Sequence, residues 1–396
     1  MHSNTKRSLF ISLLICMGCA GCGPDWEETV SRQIKQPDSI SQIDSIVVGF
    51  MKQYDIPGLS FAISRNDSLV YAKGYGYADI DTKTEVNSSS LFRIGNISKP
   101  ITAAAIMKLI QDGKISLDEK VFGDSGILRN DFGKLPYNDN IKKITVHELL
   151  NHTVNWQTED YTLYGIQSYS SSHLLSFTLD SFPLKTEPGK GSDFDFMSYL
   201  VLGKIIEKVS GQTYAGYLNS AILKPLGISD MQIAANTLAD RKKNEVTQYQ
   251  WNIWNHNYDE GVYSQKISTK EAAAGWIASA KDLLKWMAGI FGPDSKTIIL
   301  NSSTIKMMLS PSETNPGSAS GWWSNNQFKN WYAMSYYTGM ACEWARADNG
   351  YSWAILANKM PRGGHFEDDM DRLAWAMIND STIQWPKRDL FDKSHP

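Results

Sequence analysis

Cysteine is scarce in this chain: four in 396 residues, three of them among the first 22. If a leader is removed before Cys22, only Cys342 accompanies it, so no intramolecular disulfide is expected and stability must come from packing. Cys342 itself reads as a small buried hydrophobe. Charge of one sign is also lacking, with 39 Lys and Arg against 42 Asp and Glu, a net of -3. The basic residues are scattered rather than clustered, which argues against a nucleic-acid partner. The apolar run at residues 9–16 falls well short of the roughly 20 residues needed to cross a bilayer. No internal repeat is visible.

What is present fits a folded globular protein: 42% hydrophobic residues, 20% charged residues and 13 Trp. The length exceeds one ordinary core, so the expectation is one large domain with a sub-domain, or two domains. Lys6 and Arg7, the apolar run, and small residues ending in Cys19, Ala20, Gly21 and Cys22 form a secretion signal. The closing Cys-Ala-Gly-Cys resembles a bacterial lipoprotein processing box, with Cys22 as the lipid-bearing residue and Cys19 as the alternative. The expected organisation is a signal peptide at 1–21, a polar tether at 22–43 containing Pro24 and Pro37, a folded domain at 44–385 and a tail at 386–396. Such a protein would be exported and lipid-anchored to a membrane of the bacterial cell envelope.

Along the folded part, Leu59, Phe61 and Ile63 alternate, the pattern breaks at Asn66 and Asp67, and it resumes at 69–72, which predicts an antiparallel hairpin. Residues 97–112, closed by Gly113, carry Ile97, Ile101, Ala104, Ala105 and Leu109 at helical spacing and predict a central buried helix. Helical patterns dominate about 117–266, the clearest being Leu202, Ile205, Ile206 and Val209 before Gly211. A helix at 280–290, a strand at 351–356 and a last amphipathic helix with Phe366, Met370, Leu373 and Met377 follow. Strands at both ends around inserted helices predict an α+β fold: an antiparallel sheet flanked by helices, plus an all-helical sub-domain.

Several stretches resemble the serine β-lactamase and penicillin-binding-protein superfamily, particularly its class C, esterase and D-alanyl-peptidase branches. They are Ile56-Pro57-Gly58-Leu59-Ser60, Lys73-Gly74-Tyr75-Gly76, and Phe92-Arg93-Ile94-Gly95-Asn96-Ile97-Ser98-Lys99. Val146-His147-Glu148-Leu149-Leu150-Asn151-His152-Thr153, Glu187-Pro188-Gly189, Lys224-Pro225-Leu226-Gly227 and Tyr337-Thr338-Gly339 follow in the family's order. The resemblance covers roughly residues 46–379. It implies acylation of a serine at the start of a helix, with a lysine one turn later on the same face taking its proton. The helix start adds free N–H groups and a positive dipole end.

The motif positions do not carry that chemistry. Lys99 is retained, but the nucleophile position is Asn96, whose amide has no hydroxyl to attack with. Asn is also a good helix N-cap, which gives Asn96 a structural role. Counting from Pro188 and Gly189, the Tyr-x-Asn positions hold Phe194 and Phe196, so the proton-shuttling hydroxyl is missing. In the third motif Tyr337 replaces the Lys or His that helps hold a substrate carboxylate, while Thr338 and Gly339 remain. The resemblance further implies backbone N–H groups at Asn96 and Met340 as the oxyanion donors.

Other serines and clusters fit the chemistry less well. Ser98 adjoins Lys99 but lies about 200° around the helix from the nucleophile position. His147 and Glu148 suggest a zinc-protease motif, but that motif needs His four residues on, where this chain has Asn151, and His152 comes one residue too late. No metal or cofactor is therefore expected, and His152 and Thr153 are expected to support the cleft wall. Asp193 and Asp195 either pair with Lys99 or are solvated. Trp322, Trp323, Trp331, Tyr332, Tyr336, Tyr337 and Trp344 fill a core, with some of them lining the cleft. The expectation is a family member without catalysis that binds a small molecule, a glycan or a peptidoglycan fragment through a remodelled cleft. The alternatives are an active serine hydrolase with a non-standard nucleophile and a structural envelope protein.

Overall fold

The computed structural model describes residues 39–157, 169–252, 257–259, 263, 266–292, 299–361 and 363–391. The signal, Cys19, Cys22 and most of the tether lie outside the described residues. Among the described residues no helix is long and apolar enough to cross a membrane.

Alternating side chains build the main sheet. Strands β1 (Gly58–Arg65) and β2 (Ser68–Asp79) pair through a two-residue turn in which Asn66 and Asp67 both have positive φ, 49° and 63°. Asn and Asp tolerate that region, and such turns match the twist of paired strands. The chain returns to the same sheet near its C-terminus with β9 (Ser318–Ala319), β10 (Trp322–Asn325), β11 (Asn330–Tyr337), β12 (Met340–Ala347) and β13 (Tyr351–Ala357). With β3 (Thr84–Glu85) at the far edge, the order is β3-β2-β1-β13-β12-β11-β10-β9, and the pairings are antiparallel. A second, three-stranded sheet joins β4 (Phe92–Arg93), β8 (Trp276–Ala278) and β5 (Gln232–Ile233). Strands β6 (Gln250–Asn252) and β7 (Asn257–Asp259) form a small ladder.

One face of the large sheet is covered by α1 (Ser41–Tyr54) and the last helix, α10 (Phe366–Ile378), through Val47, Phe50, Met370 and Met377. The other face packs on α2 (Ser98–Gln111), α8 (Ala280–Phe291) and the helices between. Those are α3 (Val146–Leu150), α4 (Ser171–Ser181), α5 (Met197–Ser210), α6 (Tyr214–Leu218) and α7 (Glu271–Ala274), with α9 (Ser302–Met308) following α8. The region expected to be all-helical holds α3 to α6 and also the short strands β5 to β7. Two or three residues of strand carry too little periodicity to show in a sequence.

Helix α2 is central because its apolar residues surround it: Ile101, Ala103, Ala104, Ala105, Ile106 and Leu109 are all fully buried. A helix apolar on all sides is a core helix. Gly113 ends it at φ 68°. The tip of α2, where the 3-10 turn Gly95–Ile97 enters the helix, lies beside β11.

Candidate active site

Three segments converge on the tip of α2. The first is the turn carrying Asn96 and Lys99. The Lys99 Nζ donates to Asn96 Oδ1 at 2.6 Å, although the lysine side chain is only 1% exposed. The second is the loop before α5, which puts the Phe194 ring 4.0 Å from the Lys99 ammonium, a cation–π contact in a desolvated place. The third is the end of β11, where Tyr337 Oη donates to the same Asn96 Oδ1 at 3.3 Å.

Asn96 does not cap the helix. The cap position of α2 is Ile97 with no side-chain hydrogen bond, and the Asn96 oxygen is taken by the lysine and the phenol. A neighbouring ammonium outcompetes a backbone N–H because charge-assisted hydrogen bonds are the stronger ones. The Asn96 backbone N–H, expected as one of two oxyanion donors, donates instead to Ser335 Oγ at 3.1 Å. Met340, the other, is the ladder partner of Tyr337 across the turn, and Thr338 and Gly339 form that turn rather than lying along the strand. Gly339 has φ 82°, which suits a tight hairpin.

Close packing closes the back of the site. Gly321, at φ 80°, would put a Cβ 2.8 Å from that of Lys99, so only glycine lets the segment before β10 pass so near. Gly95 is similarly constrained by the Ser335 hydroxyl.

The two flanking acids go separate ways. Asp193 pairs with Lys185 at 2.5 Å at the surface. Asp195 is buried and accepts from the backbone and hydroxyl of Ser198 at 2.5 and 2.9 Å, anchoring the start of α5, and it lies 3.2 Å from His152 Nδ1. Neither makes an ion pair with Lys99. His152 sits between the rings of Phe194 and Tyr199, at 4.6 and 5.1 Å. Burial, helped by the Lys99 charge and opposed by Asp195, pushes the imidazole below its ordinary pKa and keeps it neutral near pH 7. Its Nε2 is buried without a hydrogen-bond partner. Phe196 is half-buried at the start of α5 with Lys270 Nζ 5.8 Å from its ring, away from the lysine of the motif. Trp323 stacks on Phe194 at 5.4 Å and completes an aromatic cover.

Ser98, the alternative nucleophile, is fully buried and accepts from the Trp276 backbone N–H at 3.3 Å, on the β8 side of the helix. Glu148 is engaged with the backbone and hydroxyl of Thr145 in a capping box, the reason for its spacing. Cys342 is buried with its thiol pushed well above the ordinary range by desolvation. Ser335 and Tyr199 were not singled out from the sequence. Ser335 was accessible to the alternation of β11, since it shares a strand face with Tyr337 two residues on.

The sequence profile of the beta-lactamase family matches residues 43–376, nearly the whole folded part. The chain belongs to the beta-lactamase family. Within that family it is 27% identical over 305 residues to Protein flp of Staphylococcus aureus strain MRSA252, an alignment covering 73% of this chain and 56% of that protein. The chain thus spans little more than half the length of that relative. Among solved structures, the octameric penicillin-binding protein homologue from Pyrococcus abyssi shares the fold with TM-score 0.70 and 23% identity, covering 85% of this chain and 76% of that one. The D-amino acid amidase from Ochrobactrum anthropi SV3 complexed with D-phenylalanine matches with TM-score 0.69 and 19% identity, covering 86% and 100%.

Proposed function

We propose that this beta-lactamase-family protein is non-catalytic, is exported and held at the bacterial envelope by a lipid on Cys22, and binds a cell-wall-type ligand through its remodelled cleft. The observation that carries this reading is the closure around Lys99. The group that would activate a nucleophile is hydrogen-bonded to a carboxamide and covered by an aromatic face. A carboxamide offers no oxygen to acylate, and Phe194 has no hydroxyl to pass a proton to a leaving group. What the site offers instead is recognition. With the Asn96 oxygen engaged, its NH₂ group is left as a donor beside Tyr337, with Trp323 and Phe194 as apolar surface. That suits a ligand with a carbonyl or carboxylate next to an apolar ring or side chain. Likeness in fold to a protein named for penicillin binding and to a D-amino acid amidase supports a peptidoglycan fragment as the class to try first.

The test is calorimetric titration of the intact protein with a soluble disaccharide-peptide from peptidoglycan. Saturable binding without hydrolysis, lost in Trp323→Ala, is expected. Release of a cleaved product, or no binding by the folded protein, contradicts the reading.

A second reading, an active hydrolase, is favoured by one observation. The Ser335 hydroxyl lies within hydrogen-bond distance of the α2 tip. Its hydrogen bond is to the Asn96 backbone and it is 1% exposed, so it sits as a brace rather than as an attacking group.

A further inference from the structure

Strand β10 places consecutive tryptophans on opposite sides, as pleating requires. Trp323 stacks on Phe194 at the site above, while Trp322 points into the core and forms part of the wall of a separate cavity of about 380 Å³. That volume lies in the range of small-molecule pockets. Its apolar wall is Phe291 at the end of α8, Leu309 after α9, Trp322, and Trp331 on β11. Arg346, near the end of β12, and Asp348, in the turn to β13, supply the polar side.

The guanidinium is held in place. Arg346 is fixed by Asp67 through both terminal nitrogens, at 2.5 and 3.3 Å, with Ser352 Oγ a further 3.3 Å contact. A guanidinium has five N–H donors, so this pairing leaves donors for a ligand. Asp348 is exposed, with its backbone N–H fixed to Lys329 O at 3.0 Å. The indole N–H of Trp322, in a fully buried side chain, has no hydrogen-bond partner. An indole N–H usually finds one when buried.

Charge and shape together select the ligand class. Arg346 is already neutralised by Asp67, and Asp348 adds a second carboxylate, so an anion would meet net negative charge. A purely apolar ligand would leave the remaining N–H donors of Arg346 unused and would gain nothing from the Asp348 carboxylate. A neutral ring with an apolar face and a polar edge meets both conditions. We propose that this cavity is a binding site for a neutral sugar ring, with the apolar C–H face of a pyranose against Trp331 and its hydroxyls shared between Arg346 and Asp348. The site is independent of the catalytic-motif residues and of the function proposed for them.

The experiment is calorimetric titration of the intact protein with methyl β-glucoside, N-acetylglucosamine and cellobiose, with phenylacetate as an anionic aromatic control. Saturable binding of a neutral sugar is expected, weakened about tenfold or more in Trp331→Ala and in Asp348→Ala, and absent for phenylacetate. Asp348 is exposed, so its variant keeps the test valid should Trp331→Ala fail to fold. Three results would overturn the proposal: no saturation with any of the sugars, binding of phenylacetate alone, or sugar binding that survives Asp348→Ala in folded protein.

Discussion

The Lys99 ammonium and the Asn96 side-chain oxygen are 2.6 Å apart, one turn from each other at the start of a buried helix. The pair reproduces the spacing of a serine and its base, yet both members hold hydrogen bonds rather than exchange a proton. Its energetics are testable. Asn96→Ala removes one acceptor of a buried ammonium and should cost about 1–3 kcal/mol in urea unfolding. Lys99→Met removes the buried charge while keeping much of the volume and should be close to neutral or stabilising. A Lys99→Met variant much less stable than Asn96→Ala would contradict the reading of Lys99 as a buried charge that costs stability.

Replacing Asn96 with Ser should restore little hydrolysis. The new hydroxyl would stand beside Lys99, but Phe194 would still lack the phenol and the backbone N–H of residue 96 would still be engaged by Ser335. Loss of a catalytic serine alone costs roughly a factor of 10⁶ in a serine hydrolase, and members of such a unit act non-additively. Asn96→Ser is therefore expected to stay near background with a chromogenic cephalosporin or an activated ester, and Asn96→Ser with Phe194→Tyr to exceed it. Robust turnover by the single variant would show that Phe194 matters less than the geometry implies.

Phe194 lies over the lysine and Trp323 packs on Phe194, so trimming either should expose it. Trp323→Ala and Phe194→Ala are expected to raise the rate at which Lys99 reacts with an amine-directed acylating reagent, followed by peptide mapping. The parent protein, with this side chain 1% exposed, should react there slowly. Equal labelling of parent and variants would mean that the aromatic cover does not control access.

On the other face of the sheet, Glu343 is buried and accepts from the Trp353 indole N–H at 2.6 Å. Burial, with the Asp371 charge added and the indole bond opposing, pushes its carboxyl up to about 8. The folded state therefore keeps a proton that the unfolded chain loses above about 4.5. Stability from this group is full at acid pH and is lost as pH rises from about 4.5 to 8, up to an amount on the order of 5 kcal/mol. Glu343→Gln keeps the indole acceptor and should flatten that part of the stability profile. An unchanged slope between those pH values would contradict the buried-acid assignment.

Much of the fold was legible because its long elements carry strong periodicity. The hairpin turning at Asn66 and Asp67, the helix closed by Gly113 and the helix closed by Gly211 all stand where the residues put them. Asn96, Phe194 and Tyr337, which the motif spacing singles out, are brought together at one site beside Lys99. What the sequence did not show was direction. Asn96 could equally cap its helix or face its lysine, and only the position of Tyr337 and the buried ammonium decides between them. Ser335 was missed because its partner is a backbone N–H 239 residues away, which no local pattern encodes. Asp195 looked like half of a loop pair, and its burial follows from the fold of the α5 start around Ser198 and His152.

Whether any serine of this chain acylates is read from intact mass after the pure protein is incubated with a reporter penicillin and, separately, an activated ester. An unshifted mass is expected for the parent chain with both reagents. A stoichiometric acyl adduct that peptide mapping places on a serine, and that disappears in Ser335→Ala or Ser98→Ala, would contradict it.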